Sequence, residues 1–358
     1  MTSAATVLRV GVVGCGQISQ FMHLPYLKRH AFLEIAAMCD LSPSLVGAVA
    51  DHYGVERRFT DYRRMLELSD VDAVFVATRD HAQVSIDSAN AGKHVMSEKP
   101  IAFNLEDADR VVAAAKANRV KLMIAYMKRY DPGFEYAVPL FKAMKGLRLI
   151  RIHDFGGAFA INDGIFDLMR GADDIPAAVV AAEREKMQAD LVQAIGRERA
   201  HFAQTYSSLL HLCTHDATIL RGAFGNPSGI EYADIYSGGH TIAVLKYGEE
   251  TRCVWESGLQ RDKVPWDESL TAYGAEQTVR VDFPFPYLHN AATTVHVSEK
   301  QDGVFVDRTV TASFDEAFRR EWRHFYDCIV EDREPLTSGD DARADVQMLV
   351  DVVRAVRV

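Results

Sequence analysis

The stretch LRVGVVGCGQIS, residues 8–19, decides the fold that the sequence predicts. It runs from a short apolar strand through a glycine-rich turn into a helix, which is the context of a dinucleotide-binding fingerprint. Gly14 lets the chain turn sharply, Gly16 lets the backbone approach a pyrophosphate, and Ser19 takes the third small-residue position. The N-terminus of the helix offers free N–H groups to phosphates. The stretch therefore predicts a binding site for a dinucleotide.

An acidic residue follows the glycine turn at the place where such a site needs one. Residues 33–39, LEIAAMC, are predicted as a second strand, and Asp40 stands at its carboxyl end. A carboxylate there accepts hydrogen bonds from the ribose hydroxyls of NAD and repels the 2′-phosphate of NADP. We therefore predict NAD in preference to NADP. The alternative is a purely structural turn with a helix-capping Asp. It does not explain why the glycine turn is followed by an acidic residue at the end of the next strand.

The composition indicates a globular protein of two domains. With 358 residues, the chain is longer than a single hydrophobic core usually accommodates. Its composition, 48% hydrophobic and 25% charged residues, is that of a globular protein. The net charge of −10 argues against nucleic-acid or anionic membrane partners. Five cysteines without metal-type spacing fit a reducing compartment. Without a signal-peptide pattern or a membrane-spanning run, we expect a cytoplasmic protein.

The pattern of predicted secondary structure differs between two parts of the chain. Up to about residue 125, strands alternate with helices, which predicts a doubly wound parallel sheet, and Pro25 predicts a kink or a break near Leu24. From about residue 147, short strand-like runs without intervening helices predict a mostly antiparallel sheet. A helical stretch, residues 176–221, interrupts these runs, and Gly196 is expected to break it. The predicted domains are 1–126 and 127–358, with a helical insertion at about 163–205 and C-terminal helices within 314–356.

Several motifs together resemble the Gfo/Idh/MocA family of NAD(P)-dependent oxidoreductases. They are the glycine turn, Asp40, AGKHVMSEKP at residues 91–100, KRYDP at residues 128–132 and a histidine-containing helix near residue 215. The resemblance implies a Rossmann domain followed by an open-faced, mostly antiparallel sheet, with substrate held between that sheet and the nicotinamide. It also implies oxidation or reduction of a secondary alcohol on a sugar or cyclitol, by a homodimer or homotetramer formed through the outer sheet face.

Lys99 is the first catalytic candidate. Glu98, Lys99 and Pro100 end a predicted parallel strand, at the edge where doubly wound sheets bind ligands. Pro100 turns the chain there and allows a cis peptide bond. A lysine desolvated beside a cationic nicotinamide would have a lowered pKa and would hold or relay the proton of a substrate hydroxyl. The alternative is a surface lysine beside a turn, which the residues favour without the family resemblance.

His215 is the second catalytic candidate, and His211 accompanies it. The family has an Asp-x-x-x-His pair on this helix, and the resemblance places His211 and His215 at those positions. Four residues apart, both rings face one side of a helix. His215 fits a general base, whereas His211 replaces the carboxylate that would orient it. One alternative is a metal site that the two histidines form with Cys213 or His201, and another is a purely structural role for His211. We predict no metal.

The predicted cofactor-binding and substrate-binding residues are inferred from the ends of the predicted strands and from the family resemblance. The cofactor set comprises Gly14, Gly16, Gln17, Ile18, Asp40, Thr78, Arg79, His81, Glu98, Lys99 and Arg129. The substrate set comprises Lys99, Tyr130, His153, His211 and His215.

The sequence supports one main function and two alternatives. The main hypothesis is an NAD-dependent dehydrogenase that acts on a secondary alcohol of a sugar, cyclitol or sugar derivative. The first alternative is a redox-neutral enzyme that uses tightly bound NAD transiently for elimination, epimerisation or glycoside cleavage. The second is a cofactor-binding regulator without turnover.

Overall fold

The computed structural model describes residues 6–157, 166–259 and 266–357. The chain divides into two compact units. The first contains the described residues of Met1–Tyr126, Asp163–Leu191 and Glu321–Val346, and the second contains those of Met127–Asn162, Val192–Arg320 and Gln347–Val358. Two segments of the predicted second domain thus group with the first unit. The domain division itself stays a prediction.

A six-stranded parallel sheet forms the centre of the first unit. Its strand order is β3-β2-β1-β4-β5-β6, the order of a doubly wound dinucleotide-binding sheet. The strands are β1 Leu8–Val13, β2 Leu33–Cys39, β3 Arg58–Phe59, β4 Ala73–Val76, β5 His94–Ser97 and β6 Leu122–Ile124. Its helices include α1 Leu24–Arg29, α2 Pro43–Tyr53, α3 Tyr62–Leu66, α4 Ala82–Asn90 and α5 Leu105–Asn118. The predicted Rossmann fold is confirmed.

Local sequence signals set several of these boundaries. Ser42 accepts the N–H of Leu45 and caps α2, and Gly54 ends that helix with φ of 70°. Near Leu24, the chain does not leave the helical conformation: a π-helical turn, Ser19–His23, leads directly into α1. Such caps and proline positions mark helix boundaries through residues that are close in sequence.

An eight-stranded, mostly antiparallel sheet forms the centre of the second unit. Its order is β14-β13-β12-β11-β7-β10-β9-β8, and only β7 and β10 run parallel among the described pairs. The strands are β7 Leu149–Gly156, β8 Gly229–Tyr236, β9 His240–Tyr247, β10 Thr251–Leu259, β11 Asp267–Tyr273, β12 Gln277–Phe283, β13 Thr294–Gln301 and β14 Val304–Thr311. The predicted second sheet is confirmed.

The later helices differ in part from the prediction. They are α6 Pro132–Ala143, α7 Ala177–Ile195, α8 Ala203–Ser208, α9 Thr214–Phe224, α10 Ala317–Val330 and α11 Gly339–Ala355, with a π-helical turn at Leu209–Cys213. Gly196, with φ of 94°, breaks the long helical stretch as predicted. The sequence analysis did not predict α6, although Asp131 accepts the N–H of Phe134 as its cap.

The prediction of a helical insertion from about residue 163 was wrong for its first part. Residues 163–165 lie outside the described residues, and residues 166–176 form turns and irregular chain before α7 begins. Several polar groups of this part form hydrogen bonds with distant residues, which favours an irregular course over a helix. The carboxylate of Asp174 accepts bonds from Ser42 and Ser44, and the N–H of Met169 donates to Gln20.

No helix among residues 6–157, 166–259 and 266–357 has the length and hydropathy needed to cross a lipid bilayer.

Candidate active site

The glycine turn after β1 has the backbone that the fingerprint requires. Gly14 has φ of 100°, and a Cβ built there would lie 2.4 Å from the carbonyl oxygen of Ala77. A Cβ at Gly16 would meet no heavy atom within 4 Å. Ser19 is buried, and its hydroxyl donates to the carbonyl of Gly14 at 2.7 Å. Gly14 is therefore needed for the turn itself, whereas Gly16 leaves open space where a phosphate group fits.

A cavity of about 550 Å³ lies at this turn in the first unit. That volume suits a small organic ligand or one half of a dinucleotide. Among the predicted cofactor residues, the cavity is lined by Gly14, Gly16, Asp40, Thr78 and Arg79. Gln17, Ile18, His81, Glu98 and Lys99 do not line it. The residues present fit the adenosine and pyrophosphate of a dinucleotide, with an open glycine turn on one side and a carboxylate at the end of β2.

Asp40 is oriented by backbone groups on both sides. One carboxylate oxygen accepts the N–H of Cys15 at 2.8 Å, and the other accepts the N–H of Ser42 at 2.9 Å. The side chain is half-buried and stays part of the cavity lining. The glycine turn and the start of α2 thereby hold the carboxylate at the position that a ribose would approach.

A chain of buried hydrogen bonds leads to Lys99. The indole N–H of Trp322 donates to Nδ1 of His23 at 3.1 Å, so Nε2 of His23 carries its proton toward Glu98, 2.8 Å away. The other oxygen of Glu98 accepts the backbone N–H of Lys99 at 3.1 Å. On the far side, the peptide bond between Lys99 and Pro100 is cis. The turn is therefore fixed by side chains, while Lys99 itself stays half-buried.

The ionisation of this turn follows from its burial and its partners. Burial alone would raise the pKa of Glu98, but the hydrogen bond from His23 and the charge of Lys99 hold it below its ordinary value. Burial lowers the pKa of His81, which favours the neutral ring. Nδ1 of that ring donates to the carbonyl of Pro100 at 2.8 Å. A carboxylate and a neutral imidazole thus brace the segment that carries Lys99.

His211 and His215 lie on successive helical segments of the second unit. His211 belongs to the π-helical turn and is exposed, and its Nδ1 donates to the carbonyl of Ser207 at 2.7 Å. His215 is the second residue of α9 and is half-buried. The carboxylate of Asp216, the next residue, accepts the indole N–H of Trp255 on the sheet at 2.9 Å.

A buried cluster of charges lies against the same helices and was not predicted. Lys128 contacts Glu268, and both side chains are nearly inaccessible to solvent. Burial alone would lower the pKa of Lys128, but the charges of Glu268, Asp154 and Asp216 raise it above its ordinary value. Burial, together with the charge of Glu268, raises the pKa of Asp216 well above its ordinary value. The cluster therefore stays ionised at Lys128 and favours a proton on Asp216.

The sheet register explains why these groups meet. Asp154 on β7 pairs with Glu268 on β11 and with Ser257 on β10. Paired residues share one face of a sheet, so a polar row crosses the face on which α9 packs. The indole N–H of Trp266 donates to the second oxygen of Glu268 at 3.0 Å. Neither helical nor strand periodicity marks Lys128, because it lies in the short 3-10 turn Met127–Tyr130.

One group of possible metal ligands exists among the residues that the structure describes. Ligand atoms of Asp154, Cys213 and Asp216 lie within 4.8 Å of one another, and all three residues are buried. The group includes neither His211 nor His215. The charge of Lys128 acts on this same group, which makes a second cation there less favourable.

Of three further predicted residues, His153 is not brought to the histidines. His153 lies on the opposite sheet face from Asp154, with its ring between Glu256 and Asp267 at 3.1 Å from each. The guanidinium of Arg129 donates to the carbonyl of Thr218, and Tyr130 is buried. A role for His153 beside His215 therefore does not fit the sheet, whereas contacts from Arg129 and Tyr130 stay predictions.

Residues 8–126 match the model of the Gfo/Idh/MocA family, described as an oxidoreductase family with an NAD-binding Rossmann fold. The uncharacterized oxidoreductase YrbE of Bacillus subtilis is 33% identical over 127 residues, which are 35% of this chain and 37% of that protein. Inositol 2-dehydrogenase of Salmonella paratyphi B is 33% identical over 132 residues, 36% of this chain and 39% of that enzyme. The chain thus matches less than two fifths of the length of either relative.

Solved structures resemble the chain over nearly its full length. A 3-ketoreductase from Actinomadura kijaniata, solved with NADP and TDP-benzene, has a TM-score of 0.75 and 18% identity and covers 98% of both chains. Aldose-aldose oxidoreductase from Caulobacter crescentus, solved with glycerol, has a TM-score of 0.73 and 20% identity and covers 98% of this chain and 97% of its own. At this level of identity the likeness shows a common fold.

Proposed function

Because residues 8–126 match the model of the Gfo/Idh/MocA family of oxidoreductases, we propose that the protein is an NAD-dependent oxidoreductase of that family. It transfers a hydride between nicotinamide and a secondary alcohol of a sugar, cyclitol or sugar derivative. The inositol 2-dehydrogenases among its relatives support that substrate class.

One observation carries the proposal. The cavity of about 550 Å³ joins the open turn at Gly16 to the carboxylate of Asp40, at the carboxyl edge of a doubly wound sheet. That edge is where such sheets bind dinucleotides. A structural turn alone would leave neither the open space nor a carboxylate oriented into the lining.

The chemistry is assigned to three side chains. Bound nicotinamide supplies the hydride acceptor or donor, and the protein supplies position and proton transfer. His215 acts as the general base that takes the hydroxyl proton of the alcohol. Lys99, on its braced turn, stabilises the developing alkoxide with its ammonium group. His211, whose Nδ1 is fixed by the carbonyl of Ser207, orients the alcohol or relays the proton.

Cofactor preference tests this function at Asp40. Asp40→Asn keeps an oxygen that accepts the N–H of Cys15 but removes the charge that repels a 2′-phosphate. We expect the ratio of the NADP and NAD dissociation constants, measured by calorimetry, to shift toward NADP by about tenfold or more. The control is Asp51→Asn on α2, outside the cavity lining, which should leave the ratio unchanged. Equal ratios in both variants and the unaltered protein would remove Asp40 from the cofactor site.

Location and assembly remain part of the proposal. The five cysteines are all buried and form no disulfide, which supports a reducing compartment such as the cytoplasm. Phe305 and Val304 on β14 are 85% and 63% exposed, which supports a homo-oligomer that covers part of the second sheet. No nucleic-acid partner is proposed, since the net charge is −10.

A further inference from the structure

Residues 166–191, here called the strap, pack on the dinucleotide-binding unit although they follow it in the chain. They group with the first unit. Four of them, Ile175, Glu183, Lys186 and Met187, line the cavity that contains the glycine turn and Asp40. The strap therefore supplies one wall of the predicted cofactor site. Neither the glycine fingerprint nor the motifs at residues 91–100 and 128–132 contain any of these four residues.

The beginning of the strap is tied to the helical turn that follows the glycines. The side-chain amide of Gln20 accepts the N–H of Met169 at 2.9 Å and donates to its carbonyl at 3.0 Å. The ring of Phe166 stacks on Phe21 with their centroids 4.4 Å apart. The two hydrogen bonds of the amide and the stacked rings hold this end of the strap against the π-helical turn Ser19–His23.

The middle of the strap is tied to the start of α2, next to Asp40. The carboxylate of Asp174 accepts the hydroxyl of Ser42 at 2.5 Å and the N–H of Ser44 at 2.8 Å. The hydroxyl of Ser44 in turn accepts the N–H of Ala172 at 2.8 Å. These bonds lower the pKa of Asp174 to about 2, so the carboxylate is charged at neutral pH. The helix that begins beside the ribose-binding carboxylate is thus joined to the strap.

The helical end of the strap, within α7, spans the other rim of the cavity. The ammonium group of Lys186 contacts Asp80 at 2.7 Å and Asp190 at 2.8 Å. Those carboxylates raise the pKa of Lys186, although burial acts in the opposite direction. Asp80 follows Thr78 and Arg79 at the end of β4, on the cavity rim. The strap is therefore anchored at three separate places around the opening.

We infer that the strap closes over the adenosine half of the bound dinucleotide and keeps it on the protein through successive turnovers. The inference rests on the proposed function, since it requires a dinucleotide in this cavity. A ligand that lies between the Rossmann turn and the strap contacts both walls, so loosening the strap speeds its release. Its dissociation rate then depends on the strap contacts.

Dissociation of NADH tests the inference. Protein loaded with NADH is mixed with excess NAD, and the loss of the enhanced NADH fluorescence gives the dissociation rate. Asp174→Asn removes the charge that binds Ser42 and Ser44 without altering the cavity lining, and we expect release about tenfold faster. Asp173→Asn, the same change at an exposed neighbouring position, should release NADH at the unaltered rate.

The outcomes separate the two proposals. Slow release from the unaltered protein and from Asp173→Asn, with fast release from Asp174→Asn, supports the inference. NADH binding with the same release rate in all three proteins overturns the inference and leaves the proposed function standing. An unaltered protein that shows no NADH fluorescence change and retains none after gel filtration overturns the proposed function, and the inference with it.

Discussion

Lys99→Met is expected to lower kcat by about 10²–10³-fold, the range in which a group that stabilises developing oxyanion charge contributes. Methionine keeps most of the side-chain volume but has no ammonium group with which to stabilise an alkoxide. Affinity for NAD should change little, because Lys99 does not line the adenosine cavity. Steady-state kinetics and calorimetry on the same preparation measure the two quantities separately.

The control for Lys99 needs a lysine of similar length that plays no part in the site. Lys142 on α6 is exposed, and Lys142→Met removes the same charge. Lys99→Arg adds a second comparison, because arginine keeps the charge but does not release a proton near neutrality. A kcat within about threefold of normal for Lys99→Met would remove this lysine from the chemistry, as that is below the contribution of a group that stabilises oxyanion charge.

Lys128→Met is expected to destabilise the protein by about 3–5 kcal/mol, the cost of breaking a buried ion pair from one side. The ammonium group of Lys128 contacts Glu268, and the charges of Asp154 and Asp216 also act on it. Without the cation, buried carboxylates lose their compensation and must take up protons or water. Denaturant unfolding followed by circular dichroism measures the free energy of unfolding directly.

A double variant distinguishes lost charge compensation from lost packing. Lys128→Met combined with Glu268→Gln removes both charges of the pair, and we expect it to recover a substantial part of the stability. Lys142→Met again serves as the exposed control and should change stability by less than about 0.5 kcal/mol. If Lys128→Met unfolds at the same denaturant concentration as the unaltered protein, the buried ion pair is not a stabilising element.

The features predicted correctly from sequence are those that neighbouring residues determine. The turn at Gly14 and the cap at Ser42 depend on backbone geometry and on side chains within a few positions. The Rossmann strand order follows from alternating strands and helices, because parallel strands joined by right-handed crossovers have few arrangements. The position of Asp40 then follows from the end of β2. These signals placed the cofactor side of the site.

The features that sequence reasoning missed depend on partners far along the chain. Asp174 accepts a hydrogen bond from Ser42, 132 residues away in the chain. A local sequence pattern does not show such a bond, and it therefore predicted a helix at the start of the strap. Lys128 meets Glu268 across 140 residues, in a turn without periodicity. His153 is different, since strand alternation alone would have placed it on the face opposite Asp154. That signal was present in the sequence and was not applied.

The most direct test of the central claim is a single-turnover measurement of reduced nicotinamide. Protein holding one equivalent of NAD is mixed rapidly with inositols, aldoses, glycosides and sugar acids in turn, and absorbance of reduced nicotinamide is followed. The account predicts a rise of up to one equivalent with at least one compound, absent in His215→Ala. It holds whether the cofactor then leaves or is restored in place. No rise with any compound, from protein that demonstrably holds NAD, would contradict the account.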